Sequence, residues 1–354
     1  MDNAFIRSRT PVLVLFILIY AILSLYVMQR FSAVSNMGQS PDYRATLGRM
    51  VYGTAARPFV YRALVPSLIR MVVDATPDDV RITANANLQY SAFARMLGRI
   101  GMTYTQAVMA VILYLCLCGY IVVLYKMGAF FFPQSWAMAL FMPVIGLVMI
   151  PAFTFNGLYI YDFAVLFLTS ACYYCMARQQ WRRYLFWFVL ACLNKETAIF
   201  ILIFFALWCL PRLDSWRFIF YWAIQCVIYI FIKIALSIDF MYNPGVFLEN
   251  HGSLDISSLL GGYNFMRLGL YFMTLFLLTY HWQEKPLFAR YILWIYPMMV
   301  VAYTLYGIPG EYRVFFDLFP LLTVLITHTL IEGTGIAKAA MFNRSEYVHA
   351  PSVD

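Results

Sequence analysis

The chain has 354 residues, of which 63% are hydrophobic, 19% aromatic and only 12% charged. A soluble globular domain carries about 45–50% apolar and roughly 25% charged residues, so this chain lacks the charge to cover a water-facing surface. That excludes a cytosolic enzyme, a disordered protein and a nucleic-acid binder, despite the formal net charge of +8.

A membrane helix needs about 20 apolar residues, with roughly 17–25 usual. Runs of this kind fall at 11–28, 105–125, 137–151, 158–177, 218–238, 268–282, 291–306 and 314–331. Arg7 and Arg9 precede the first, and no small-residue cleavage site follows it. A retained anchor is therefore expected in place of a removed signal peptide. The stretch 29–104 is the first outer loop. Within it Phe59, Val60, Leu64, Val65, Leu68 and Ile69 recur at helical spacing around Arg62 and Arg70, which predicts an amphipathic helix on the membrane surface. Thr76-Pro77-Asp78-Asp79 reads as a turn followed by a helix start. The seven cysteines all lie inside apolar runs, where packing is the plain reading.

The segment 184–210 admits two readings. As one helix it would be about 40 Å long, with Asn194-Lys195-Glu196 near the bilayer centre. As a hairpin it turns at those residues and returns. The charges decide. With a hairpin, Arg7, Arg9, Lys126, Arg178, Arg182, Arg183, Arg212, Arg217, Lys285, Arg290, Lys338 and Arg344 all fall on one side. With a single helix the last six cross over, and the positive-inside asymmetry collapses. The expectation is an all-α polytopic membrane protein of about ten transmembrane helices, with both termini cytoplasmic. Residues 1–331 form one integral-membrane domain and 332–354 a cytoplasmic tail.

This topology sorts the unusual residues. Asp42, Arg44, Arg57 and Arg62 belong to the first outer loop. Asp162 opens the fourth helix, Lys195 and Glu196 occupy the hairpin tip, and Lys233 and Asp239 lie near the outer end of the seventh. Glu249 and His251 follow in the next outer loop; Glu311, Arg313 and Asp317 flank the last crossing. Ionisable groups at membrane depth usually line a cavity or a substrate path. Arginine forks bind phosphate oxygens bidentately and lysine binds them as a point charge. A carboxylate within hydrogen-bond reach of a hydroxyl can act as its general base. The combination suits transfer of a group from a lipid phosphate to an alcohol.

The residues that carry a resemblance are Pro41-Asp42-Tyr43, the run Arg57-Pro58-Phe59-Val60-Tyr61-Arg62-Ala63-Leu64-Val65-Pro66, Leu193-Asn194-Lys195-Glu196-Thr197-Ala198, and Gly310-Glu311-Tyr312-Arg313. With the helix layout over roughly 10–330, they resemble the GT-C superfamily of membrane-embedded glycosyltransferases, in particular mannosyltransferase-like members that use a polyprenyl-phosphate sugar. Many members carry two adjacent acidic residues in the first loop, whereas Asp42 is followed by Tyr43. The resemblance implies Asp42 as the base that deprotonates the acceptor hydroxyl, with inversion at the anomeric carbon. It implies Arg57, Arg62, Lys195 and Arg313 as ligands of the donor phosphate. Asp162, Glu196 and Glu311 would orient those cations, hold sugar or acceptor hydroxyls, or help bind Mg²⁺ or Mn²⁺, although no spacing demands a metal. The implied partners are a polyprenyl-phosphate-linked sugar donor, a glycan or glycolipid acceptor of the cell envelope, and membrane lipids. The implied location is the inner (cytoplasmic) membrane, with the active site on the periplasmic face.

Plainer roles stay open for the same residues. Asp42 suits an N-cap, Arg57 and Arg62 suit lipid headgroups, Asp162 suits a helix N-terminus, and Lys195–Glu196 suits a solvated tip. Two other functions compete. One is an O-antigen-type polymerase or ligase, against which stands the absence of Arg and Lys from 239–265. The other is a non-catalytic flippase or transporter of lipid-linked sugar, against which stands the lack of a repeat pair.

Overall fold

Where water is excluded, an unbroken apolar run can satisfy its backbone only within itself or in a closed barrel. In the computed structural model, which describes residues 3–39, 42–133, 135–154, 157–246, 273–306 and 312–332, these runs are helices and no strand forms among the described residues. In chain order they are α1 (Asn3–Ser35), α2 (Leu47–Val51), α3 (Leu64–Ala75), α4 (Asp78–Leu88), α5 (Ala92–Met96), α6 (Tyr104–Phe131), α7 (Trp136–Ala152), α8 (Asp162–Ala177), α9 (Trp181–Asn194), α10 (Ile199–Cys209) and α11 (Ser215–Asp239). There follow α12 (273–279), α13 (Leu287–Arg290), α14 (Ile292–Tyr306) and α15 (Phe319–Glu332).

Five stretches are long and apolar enough to cross a bilayer: Thr10–Ser35, Tyr104–Phe131, Ser215–Asp239, Leu287–Tyr306 and Tyr312–Leu330. The protein is an all-helical, membrane-embedded protein. The apolar helices Trp136–Ala152, Asp162–Ala177 and Glu196–Cys209 are shorter, so length by itself supports five spans of the ten expected. The run expected at 268–282 begins outside the described residues, as does the tail from 333 onward.

The ambiguous segment is a hairpin. Lys195 adopts an extended conformation (φ −157°, ψ 149°) between α9 and a 3-10 turn, Glu196–Ala198, that leads into α10. Tyr184 near the start of α9 stacks on Phe205 near the end of α10, ring centres 5.6 Å apart. In one straight helix these residues would be separated by about 30 Å. The arms are about 21 and 16 Å long, less than the roughly 30 Å of a hydrocarbon core.

The helices run between two ends of different character. At one end Arg178 lies over Phe130, and Arg212 lies 3.5 Å from the centre of the Trp208 ring. There too Lys285 donates to the Leu325 carbonyl (2.7 Å) and to Thr329 Oγ1 (2.5 Å). α8 and α10 both run from the other end, where Asp162 begins α8 and the Glu196–Ala198 turn leads into α10, towards these cations. Loop one begins later than expected, because α1 continues to Ser35. Phe31 packs against Phe163, and Arg99 donates to the Ser32 carbonyl near the last turn of α1 (3.2 Å). The expected amphipathic helix starts at Leu64 and not at Phe59. Pro66 lacks an N–H, so it sits without loss only in a first helical turn, and Phe59–Tyr61 form a separate 3-10 turn. α3 buries Val65, Ile69 and Val73 and exposes Leu68, Met71 and Val72. α4 starts at Asp78 and Asp79, where two carboxylates face its positive pole.

Glycines set the closest approach in the bundle. A Cβ on Gly128 of α6 would lie 2.8 Å from the Ala139 Cα of α7, a backbone atom that cannot swing away. Gly128→Val is expected to cost about 1–3 kcal/mol and to lower the unfolding midpoint in detergent by several degrees. Gly48→Ala, on the exposed side of α2 with nothing within 4 Å of a new Cβ, is expected to leave it unchanged or slightly raised.

Candidate functional site

Four stretches meet at the end opposite the basic one. Ala63 N–H donates to the Leu193 carbonyl (3.0 Å), tying loop one to the hairpin. Asn194 Nδ2 donates to the Tyr161 carbonyl (3.2 Å), and the Tyr229 hydroxyl of α11 donates to the Glu196 carbonyl (3.0 Å). The tip is thus pinned from three sides before any charge is considered.

Two ion pairs lie on this frame. Arg62 grips Glu196 with both limbs of its fork, Nη2 to Oε1 at 2.5 Å and Nε to Oε2 at 3.2 Å. Deeper in, Arg313 Nη1 lies 3.1 Å from each oxygen of Asp162. The Tyr161 hydroxyl joins them, since Arg62 Nη1 and Arg313 Nη1 both donate to it. Asp162 also accepts from Tyr159 N–H (2.8 Å), which fixes the loop before α8. Phe59, Tyr159 and Tyr161 form a stack with successive centres 5.5 Å apart. Arg313 packs 4.1 Å from the centre of Tyr159 and Arg62 4.5 Å from that of Tyr161. The Asp162–Arg313 pair is enclosed, whereas the Glu196 side chain is 38% exposed, so the network opens outward at Glu196 and Arg62. A third group lies further inside. Lys195 and Asp317 line a cavity of about 10 Å³ with Asn194 and Thr169, and Thr169 Oγ1 donates to Asp317 Oδ1 (3.4 Å).

The structure therefore brings together Arg62, Glu196, Asp162, Arg313 and Lys195, drawn from regions far apart in sequence. Asp42 belongs to an adjoining group. It caps the 3-10 turn Tyr43–Ala45 by accepting from Arg44 N–H (2.9 Å), and the Arg44 side chain holds both its oxygens, at 2.9 and 2.6 Å. The plainer capping role is thus realised. Burial would raise the Asp42 carboxyl, but the hydrogen bonds and charge of Arg44 outweigh it and hold the group below its ordinary value. Arg44 lies 5.6 Å from the centre of the Phe59 ring and Arg62 lies 5.3 Å from the same centre. Arg57 is held through its backbone, donating N–H to the Pro244 carbonyl (2.8 Å); its buried Nε has no partner among the described residues. Glu311, Glu249 and His251 lie outside the described residues.

Sequence reasoning passed over Tyr159 and Tyr161 as site components. The signal available was their spacing, two aromatic residues alternating immediately before Asp162. Lys233, which donates to the Cys192 carbonyl (2.8 Å), and Asp317 stood out as charges but had no assigned role. The carboxylates of Asp162 and Glu196 are taken up by guanidinium groups, and among the described residues no three of His, Cys, Asp or Glu converge on a metal-sized site. No family model, curated protein or solved structure matches this chain.

Asp162→Asn keeps an acceptor for Tyr159 N–H but removes the Asp162 charge from beside the buried Arg313, at a cost of about 3–5 kcal/mol. Asp162→Asn combined with Arg313→Met is expected to recover most of that loss in detergent unfolding. Equal and additive losses would mean that the pair is not coupled. For Asp42, a folded-state pKa below the unfolded one gives stability that is complete above the unfolded value and is lost as pH falls through the folded one. Hydrogen-exchange protection of the Arg44 N–H should stay level down to the ordinary aspartate range, near ~3.9, and fall at lower pH. Asp42→Asn should show no such step.

Proposed function

We propose that the protein is an integral-membrane glycosyltransferase that moves a sugar from a polyprenyl-phosphate donor to a hydroxyl of an envelope glycan or glycolipid. The observation that carries this reading is the convergence of Arg62, Glu196, Asp162 and Arg313 on one connected network at a single end of an apolar bundle. Ionisable groups kept at such depth in a membrane protein usually serve a ligand. On this reading ten helices cross the inner membrane, α7 to α10 being short ones. The basic end, with both termini, is cytoplasmic under the positive-inside rule, and the network faces the periplasm.

The donor phosphate approaches where Glu196 is exposed and takes over the fork of Arg62, a bidentate geometry that guanidinium offers to carboxylate and phosphate alike. Lys233, whose charge acts on Glu196 and Arg62, and Arg57 serve as further cations for the phosphate, and Arg313 adds its field from behind. Asp42 accepts the acceptor's hydroxyl proton. The freed oxygen bonds to the anomeric carbon from the face opposite the phosphate, and the carbon–oxygen bond to phosphate breaks with its electron pair passing to the phosphate oxygen. Polyprenyl phosphate leaves, its growing charge met by cations already in place, and the configuration inverts.

The test is sugar transfer by the purified protein in liposomes, using radiolabelled polyprenyl-phosphate sugars and extracted envelope glycolipid. Asp42→Asn is expected to lower turnover by about 10²–10⁴-fold with folded protein retained, and Arg57→Ala and Arg62→Ala to weaken donor binding. Gly48→Ala should match the wild type. Wild-type turnover by Asp42→Asn removes it as the base, and absence of transfer from every donor offered removes the reading.

A further inference from the structure

The cavity behind the hairpin tip is bounded by three buried polar atoms that have no partner among the described residues: Lys195 Nζ, Asn194 Oδ1 and Asp317 Oδ2. Their residues are 5%, 1% and 2% exposed. Buried polar groups are nearly always hydrogen-bonded, and an unmade bond to a charged group is the costliest kind. One is a donor and two are acceptors. The cavity volume of about 10 Å³ is close to the smallest space, about one probe sphere, that holds a single water. It is far too small for a phosphate or a sugar.

We propose that Asn194, Lys195 and Asp317 form a binding site for one water molecule, which joins the hairpin tip to the segment preceding α15 as a water-bridged ion pair. The water accepts from Lys195 Nζ and donates one hydrogen to Asp317 Oδ2 and the other to Asn194 Oδ1. That gives each of the three atoms a partner, and three bonds are what a buried water typically makes; Thr197 Oγ1, a further buried hydroxyl without a partner among the described residues, lies beside Asp317. Asp317 Oδ1 is already engaged by Thr169 Oγ1, which turns Oδ2 to the water. An alkali cation does not fit, because the ammonium of Lys195 already supplies the positive charge. In this role Lys195 is a positioning residue. It holds the tip so that Glu196, the next residue, meets Arg62, and it is not itself a ligand of the donor phosphate. This revises one residue's part in the proposed reading, and the test below does not use activity.

The intact protein in nanodiscs is to be imaged at a resolution that shows ordered water, with the variants studied by thermal unfolding. The expected map has one peak within hydrogen-bond distance of all three atoms. Lys195→Met and Asp317→Asn should each lower the unfolding midpoint by about 5 °C or more, because each strands the other's charge or its polar neighbours. Lys195→Met with Asp317→Leu, which removes both charges and fills the space, should regain at least half of that loss. Glu311→Gln should leave the midpoint unchanged. Direct contact between Nζ and Oδ2 without a peak, a Glu311 carboxylate seated against Lys195, or a double variant no better than the worse single one overturns the proposal.

Discussion

A guanidinium group withdrawn from water needs a counter-charge, and here each counter-charge comes from a distant part of the chain. Arg62 of loop one is met by Glu196 of the hairpin, and Arg313, just before the last helix, by Asp162 at the head of α8. The first pair closes only when loop one and the hairpin are in register and the second only when α8 and the last helix are, and the Tyr161 hydroxyl ties the two together. Buried ion pairs add little net stability over apolar packing, yet breaking one is expensive. Their effect is to penalise every arrangement of this end in which a helix has slipped or a loop has lifted.

The two ends of the bundle handle charge by different means. At the basic end Arg217 pairs with Asp214 (3.2 Å), while Arg212 and Lys285 are met by backbone carbonyls. Arg212 follows the C-terminus of α10, where it donates to the Trp208 carbonyl (2.7 Å) and lies over the Trp208 ring, and Lys285 donates to the Leu277 carbonyl in the last turn of α12 (3.2 Å). Helix C-termini present unpaired carbonyls and a negative pole, which suits cations. At the other end Asp162 sits in the first turn of α8, where the pole is positive. The helix directions and the ion pairs therefore reinforce one another, and α8 is oriented by charge at both its ends.

Much of the architecture was legible because it depends on quantities summed along the chain. Apolar runs mark helices, and the excess of cations on one set of loops requires 184–210 to be a hairpin, as the stacking of Tyr184 on Phe205 shows it to be. What escaped depends on single neighbours. The start of α3 moved because of one residue, Pro66, that cannot sit in a helix interior. Tyr159 and Tyr161 resemble interface anchors in sequence, and only the fold shows that they stack beneath two arginines. Asp42 and Arg44 are two residues apart, so their pairing was accessible locally. The sequence equally allowed an exposed carboxylate, since nothing in it says which way Arg44 turns. Asp317 was visible as a charge, but its relation to Lys195 is purely tertiary.

The clamp on Asp42 bears on the proposed chemistry. A carboxylate held by an arginine at two oxygens is a weaker base than a free one, because the partner that stabilises its charge also lowers its proton affinity. As a general base it becomes competent only when Arg44 releases it. Arg44 and Arg62 share the Phe59 ring as a packing surface, so a ligand that draws Arg62 outward alters the support of Arg44 as well. On the proposed reading this couples donor binding to release of the base, and the resting protein keeps Asp42 ionised and occupied while no donor is bound. The same contact keeps Asp42 from standing as an unpaired carboxylate, which at partial burial is the less stable state.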